Sequence, residues 1–201
     1  LDSTVSQTGI NIFSNAVNTH SRGLEFVATL AESYGTAGKV DWSLAANYNK
    51  VEVVKINQAP KQLLPQSLLD QTAISDLETA SPKMRLNLGA LWKIGNWTVN
   101  LREAIYGKSS NYGSEDGSVY HKTEISTAAI TDLEVGYKIS NAWSVAAGAN
   151  NLFNKYPNGV NPLLLADERA AGDNAAVTVL PSFSPFGING GYYYGRVTYA
   201  F

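Results

Sequence analysis

Seven stretches of the chain alternate apolar and polar residues at a period of two, the signature of strands with one apolar and one polar face. In Gly23–Ser33, Leu24, Phe26, Ala28 and Leu30 alternate with Glu25, Val27 and Thr29. Asp41–Val54 sets Trp42, Leu44, Ala46 and Tyr48 against Ser43, Ala45, Asn47 and Asn49. Pro82–Trp92 sets Met84, Leu86, Leu88, Ala90 and Trp92 against Arg85, Asn87 and Gly89, and Trp97–Tyr106 sets Trp97, Val99 and Leu101 against Thr98, Asn100 and Arg102. Thr131–Ile139 and Trp143–Phe153 repeat the pattern, with Leu133, Val135 and Tyr137, then Val145, Ala147 and Ala149, on the apolar side. The last strand carries Tyr193, Gly195, Val197, Tyr199 and Phe201 opposite Tyr194, Arg196, Thr198 and Ala200. A weaker strand is predicted around Thr8–Asn15, and spaced leucines in Leu63–Leu77 predict a short helix in a loop.

Connections alternate between tight and long. Tyr34–Val40, Lys93–Asn96 and Ser140–Ala142 are short, while Lys55–Ser81, Gly107–Ala129 and Asn154–Gly190 are long. In an antiparallel meander all tight turns then share one rim and all long loops the other. Trp42, Trp92, Trp97 and Trp143 flank the tight turns, each on the apolar side of its strand. Tryptophan favours a membrane–water boundary, where its ring is apolar and its N–H finds a partner. Strands of about ten residues suit a tilted crossing of the apolar slab. The pattern predicts an all-β fold, a transmembrane antiparallel meander β-barrel with a periplasmic tryptophan belt. Glu25, Arg85, Arg102, Glu134, Lys138 and Arg196 would then face the lumen. A soluble sandwich predicts instead that the tryptophans lie buried in mid-strand.

Composition narrows the field. The 201 residues carry a net charge of −2 and no basic stripe, so no nucleic-acid partner is expected. There is no cysteine, which removes disulfides and thiolate metal sites. Mean hydropathy of −0.13 is too low for a helical membrane protein but fits a barrel, where alternate residues meet lipid. The aromatic set, 11 Tyr and 4 Trp against 6 Phe, favours interfacial rings. The chain begins at Leu1 without a signal peptide, which predicts a mature form or a piece of a longer protein.

Three segments carry a family resemblance. Asn18-Thr-His-Ser-Arg-Gly-Leu-Glu25 resembles a strand opening of TonB-dependent receptors. Gly148-Ala-Asn-Asn-Leu-Phe-Asn-Lys-Tyr156 resembles their penultimate strand, with Asn154 in place of the usual acidic residue. Gly195-Arg-Val-Thr-Tyr-Ala-Phe201 resembles their ending. The resemblance implies about seven C-terminal strands of a 22-stranded barrel, whose plug and N-terminal strands are absent from this chain. It implies an integral protein of a Gram-negative outer membrane that imports a scarce nutrient, most commonly a ferric siderophore or other metal chelate. Its partners would be the rest of the receptor, the TonB complex through the missing N-terminal part, the lipid bilayer, and the barrel-assembly machinery, which would read the strand ending at Tyr199 and Phe201. A small passive barrel without a plug is the rival.

No catalytic arrangement, phosphate loop or cofactor motif stands out, and neither an enzyme nor a cofactor is expected. His20 and His121 are far apart in sequence and read as loop polars. Glu115-Asp116-Gly117 lacks the spacing of a calcium loop and reads as a turn. Ligand contacts would concentrate in the long loops. The candidates are Tyr112, Tyr120 and His121 in one loop and Asp167, Arg169 and Phe186 in another.

Overall fold

The computed structural model describes residues 16–58, 67–172 and 179–201. The strand expected around Thr8–Asn15 and the start of the expected loop helix lie outside them. Seven strands form one antiparallel sheet: β1 (Val17–Ser33), β2 (Lys39–Ile56), β3 (Met84–Ile94), β4 (Trp97–Tyr106), β7 (Ala128–Lys138), β8 (Trp143–Asn150) and β9 (Tyr192–Tyr199). Sequence neighbours are spatial neighbours, except that a separate hairpin, β5 (Ser109–Gly113) with β6 (His121–Ile125), rises between β4 and β7. Two helices, α1 (Gln71–Glu78) and α2 (Pro162–Ala171), sit in the other long connections. The sheet does not close on itself: β1 and β9 are its edges. No helix among the described residues is long and apolar enough to cross a membrane.

The register sorts side chains as the alternation predicts. Leu30, Trp42, Ala90, Leu101, Leu133, Ala149 and Tyr193 form one continuous row on the apolar face. That face is not a core. Leu24 is 79% and Val197 67% exposed, and no second sheet covers them among the described residues. This removes the sandwich reading. What burial there is gathers largely beyond the other end of the sheet, around Ile125, Ala128, Leu164 and Leu165.

The tight connections share one end. Gly95 and Asn96 make a two-residue hairpin turn in which Gly95 takes φ 53, a conformation that favours glycine. All four tryptophans lie near this end on the apolar face, half-exposed, and they step in register. Trp42 pairs with Ala90, two residues before Trp92; Trp92 pairs with Val99, two after Trp97. Trp97 pairs with Tyr137, which pairs with Val145, two after Trp143; Trp143 pairs with Tyr199. The rings touch: Trp97–Tyr137 centroids are 4.6 Å apart, Trp143–Tyr199 4.7 Å and Tyr199–Phe201 6.2 Å. The girdle therefore slips six residues, about 20 Å, across five strand spacings, about 24 Å. A level belt needs strands tilted by about 40°, the tilt of barrel walls.

Charge marks the other boundary. On the apolar face charge returns at Lys50, eight residues past Trp42, and at Arg22, its partner in register. At a tilt of about 40° these lie roughly 20 Å above Trp42, one apolar band away. Inside that band one charged residue breaks the alternation. Glu103 pairs with Leu88 and Thr131, so it shares the apolar face, and its carboxylate accepts a 2.6 Å bond from Thr131 Oγ1.

Several boundaries differ from the sequence expectation. The first strand starts at Val17 rather than Gly23, because polar residues Asn18–Arg22 continue the ladder with β2. The sixth ends at Asn150 rather than Phe153, because Asn151 and Asn154 take φ 51 and 53 and leave strand geometry. The loop helix starts at Gln71, where the Asp70 side chain accepts from Ala73 N–H at 2.7 Å.

Candidate functional site

The loop end folds into a small cap. α1 is tied to β5 by side chains. Ser75 Oγ donates to Asn111 Oδ1 at 2.7 Å and accepts from Tyr112 N–H at 3.0 Å, while Thr79 Oγ1 donates to the Ser110 carbonyl at 2.7 Å. Asp76 also bonds Asn111. α2 begins on Asn161, which caps Leu163 N–H at 2.9 Å, has Pro162 in its first turn, and ends on a left-handed Gly172. Asn161 Nδ2 donates to the Lys122 carbonyl at 2.8 Å, so the cap residue also clamps α2 onto β6. Gly113 lets Leu164 pack closely on β5: a Cβ there would lie 2.4 Å from Leu164 Cδ2, so the leucine would have to move.

Between these elements lies an open cleft of about 370 Å³, lined by Thr72, Asn111, Tyr112, Thr123, Leu164 and Phe183 among others. Of the six ligand candidates, Tyr112 lines this cleft. His121 Nε2 lies 2.8 Å from Asp167 Oδ2, joining β6 to α2. Arg169 lies in the last turn of α2, and Tyr120 precedes β6; neither lines the cleft. Phe186 lies elsewhere, 5.8 Å from the buried Tyr106 ring, which also carries the Arg85 guanidinium at 5.0 Å. Glu115–Gly117 is a turn: the Asp116 carboxylate accepts from Ser118 N–H at 2.8 Å and from Ser118 Oγ. These bonds from Ser118 hold the Asp116 carboxyl below its usual range. Among the described residues no group of three metal-ligating side chains occurs.

The polar face holds a second constellation. Glu134, Gly148 and Tyr194 form one row across β7, β8 and β9. Gly148 has no side chain, so the Tyr194 ring crosses it and its hydroxyl donates to Glu134 Oε2 at 2.9 Å. Arg196 reaches the other oxygen of Glu134 at 2.7 Å. Arg102 stands beside them, opposite Asp132 in register, and lines a polar hollow with Asn100, Glu134, Asn150, Tyr194 and Arg196. Arg85 Nε donates to Asn87 Oδ1 at 3.3 Å. Glu25 and Arg102 take part in no ion pair among the described residues.

Sequence reasoning missed Asn151. It is 8% exposed, and its side chain closes a loop on Lys155: Oδ1 accepts Lys155 N–H at 2.8 Å and Nδ2 donates to the Lys155 carbonyl at 2.7 Å. Its own N–H is held by Asp132 Oδ1 at 2.8 Å. Asn154 Oδ1 accepts from Gly191 N–H at 2.8 Å. The signal was the paired asparagines bracketing Leu152 and Phe153.

A tilted antiparallel wall with a belted apolar face, a charged polar face and a folded loop cap defines part of a transmembrane β-barrel. The TonB dependent receptor-like β-barrel family matches residues 1–152, and the chain belongs to that family. No curated protein matches it. Among solved structures, the pyoverdine outer-membrane receptor of Pseudomonas aeruginosa, bound to pyoverdine, is similar at 14% identity with a TM-score of 0.56, over 92% of this chain and 22% of that one. The ferric enterobactin receptor of the same organism aligns at 19% identity with a TM-score of 0.47, over 86% of this chain and 21% of that one. The first supports the fold. The chain spans about a fifth of the length of these receptors.

Proposed function

We propose that this chain is the C-terminal part of the 22-stranded barrel of an outer-membrane receptor that imports a scarce nutrient, a ferric siderophore or other metal chelate. The stepped tryptophan girdle carries the reading. A belt that slips six residues across five strand spacings fits strands inclined in a bilayer, with the apolar face toward lipid and the polar face toward a lumen. Two unpaired edges in lipid would leave backbone groups without partners, so further strands of the same protein complete the wall. The row of Glu134, Arg196 and Arg102 then faces the lumen and meets a plug, which TonB engages from the inner side. The cap of α1, β5, β6 and α2, with Tyr112 and the His121–Asp167 pair, lies outside and meets the ligand. Tyr199 and Phe201 end the strand that the assembly machinery reads.

The test is the mass of the native polypeptide in the outer-membrane fraction, identified by a peptide from Trp143–Lys155. A band several times heavier than 21.6 kDa supports the reading. A band at 21.6 kDa refutes it and leaves a small passive barrel. The substrate is tested on the whole receptor, by quenching of intrinsic fluorescence with a panel of ferric chelates. Quenching by none of them removes the iron assignment.

A further inference from the structure

The polar face carries an apolar island at its loop end. Tyr106 pairs with Arg85 and Ala128, and Ala104 with Ile130, so Tyr106, Ala128 and Ile130 share the face of Arg102 and Asp132. All three are buried, although no second sheet covers the wall among the described residues. Part of the chain therefore lies over them. The Phe186 ring stands 5.8 Å from the Tyr106 ring and tilts 44° to it, and the Arg85 guanidinium lies over the same tyrosine.

Phe186 sits on a stiff strap, residues 179–190, that leads into β9. Pro181 and Pro185 each fix a φ angle. Ser184 N–H donates to the Pro181 carbonyl at 3.2 Å, Gly187 N–H to the Ser184 carbonyl at 3.3 Å, and Ser184 Oγ to the Gly187 carbonyl at 2.8 Å, so 181–187 is braced by its own bonds. At the start of the strap the Val179 carbonyl accepts from Val160 N–H at 2.9 Å. Three residues before Phe186, Phe183 lines the 370 Å³ cleft together with Leu180, Val160 and Tyr112. The strap thus presents one aromatic ring to the cleft and another to the island on the polar face. A unit braced in this way carries both rings when it moves.

We propose that the strap is a latched wall of the ligand cleft. Phe186, seated on Tyr106, is the positioning residue that holds Phe183 at the cleft, and release of that one ring opens the cleft and uncovers the island together. The proposal rests on the reading of the cap as the outward, ligand-meeting end and of the polar face as the lumen wall. On that reading the strap overhangs the outer mouth of the lumen. A ligand that fills the cleft touches the strap in its latched position and so favours the latched state.

The test uses the whole receptor, purified in detergent, and the rate at which a small sulfonated maleimide reacts with single introduced thiols. Ile130→Cys reports the island, and Val119→Cys, at an exposed position between β5 and β6, reports free access. These 201 residues hold no cysteine, and the receptor without either substitution gives the background. With the strap latched, Ile130→Cys should label at least about tenfold more slowly than Val119→Cys. Adding Phe186→Ala should speed Ile130→Cys about tenfold or more, the equilibrium worth of burying an aromatic ring, and leave Val119→Cys unchanged. Phe186→Tyr keeps a ring and should label as slowly as the parent, a rescue that a general folding defect would not show. Unchanged heat-modifiable gel migration shows that the variants still fold. Hydrogen exchange reads the cleft side. The Val160 amide, bonded to the strap, should exchange faster in Phe186→Ala, while the Tyr112 amide, bonded to Ser75 Oγ at 3.0 Å, should not. Fast labelling of Ile130→Cys with Phe186 in place, or equal labelling with and without Phe186→Ala, overturns the latch. A Val160 amide indifferent to Phe186→Ala overturns the link to the cleft. Orientation is read separately on intact cells, with a polyethylene-glycol maleimide too large to cross the outer membrane. If Val119→Cys is shielded there, the outward placement of the cap fails; if it labels and Phe186→Ala changes nothing, only the latch fails.

Discussion

Replacing Asn151 should loosen the junction between the last two strands, and the size of the effect can be worked out. Asn151→Ala removes two side-chain bonds to the Lys155 backbone, at 2.7 and 2.8 Å. Each is worth about 1 kcal/mol, and the site is 8% exposed, so water does not fully replace them. Alanine must also hold φ 51, which asparagine tolerates and alanine resists by roughly 0.5–1 kcal/mol. The sum is about 2–3 kcal/mol. Hydrogen exchange on the whole protein reads it locally. The reporter amides are Leu152, bonded to the Thr131 carbonyl at 2.7 Å, and Gly191, bonded to Asn154 Oδ1 at 2.8 Å. Neither bond involves the Asn151 side chain, so faster exchange reports opening of the junction rather than the lost bond. At about 1.4 kcal/mol per tenfold, both should exchange roughly 30- to 150-fold faster. Asn151→Gly loses the same bonds without resistance at φ 51 and should fall short of alanine. Exchange within threefold of wild type in the alanine variant, or a larger effect for glycine, refutes the account.

Gly148→Val should lower the temperature of the heat-modifiable gel transition strongly. A Cβ there sits 2.6 Å from Tyr194 Oη and 3.0 Å from the Leu133 carbonyl, so the ring must leave Glu134, forfeiting about 2 kcal/mol. A transition equal to that of Tyr194→Phe would show that the clash matters no more than the bond. Glu103→Leu replaces a carboxylate on the apolar face and should raise stability by about 1 kcal/mol in urea titrations of the detergent-solubilised protein; a clear loss would argue against lipid contact there. Acid should act late on the β5–β6 hairpin. Lys122 holds the Glu124 carboxyl below its usual range, so its contribution is full above the ordinary carboxylate pKa and is lost only as pH falls through the lowered value. Normalised protection of the hairpin amides should therefore hold at pH 5 and drop below about pH 4; a drop between pH 6 and 5 would contradict it.

The strand wall was legible because each strand separates two environments, which forces period-two patterning such as Leu86, Leu88 and Ala90 against Arg85, Asn87 and Gly89. Where both faces meet similar surroundings the pattern fades. Asn18–Arg22 forms a ladder with β2 yet shows no apolar alternation. The β5–β6 hairpin buries Ser109 and Thr123 beside Ile125, so its packed face is largely polar and reads as loop. α2 has three consecutive leucines rather than helical spacing, and its signal lies in the caps, Asn161-Pro162 and Gly172. The cap was least legible. His121 meets Asp167 46 residues away, and Ser75 meets Asn111 36 away, so their residue types alone do not foretell the meeting.

The segment Gly148–Tyr156 and the last strand turn out to be halves of one mechanical joint. The penultimate motif supplies Gly148, Asn151 and Asn154; the last strand and its approach supply Gly191, Tyr193, Tyr194 and Arg196. Tyr193 Oη donates to the Leu152 carbonyl at 2.9 Å, Gly191 N–H to Asn154 Oδ1 at 2.8 Å, and Tyr194 and Arg196 converge across Gly148 on Glu134. In a soluble sheet, register is set chiefly by which face is buried. A strand whose apolar face meets lipid loses little on slipping two residues, since Tyr193, Val197 and Tyr199 would still face hydrocarbon. Polar links across the joint must then set the register. A slip of two one way would place Arg196 opposite Gly148 and leave Glu134 without its hydroxyl partner; the other way would bring Tyr192 there and carry Arg196 away from Glu134, and either slip takes Gly191 from Asn154. On this argument Gly148, Asn151 and Asn154 act as register pins, and ligand contact is not needed to explain them.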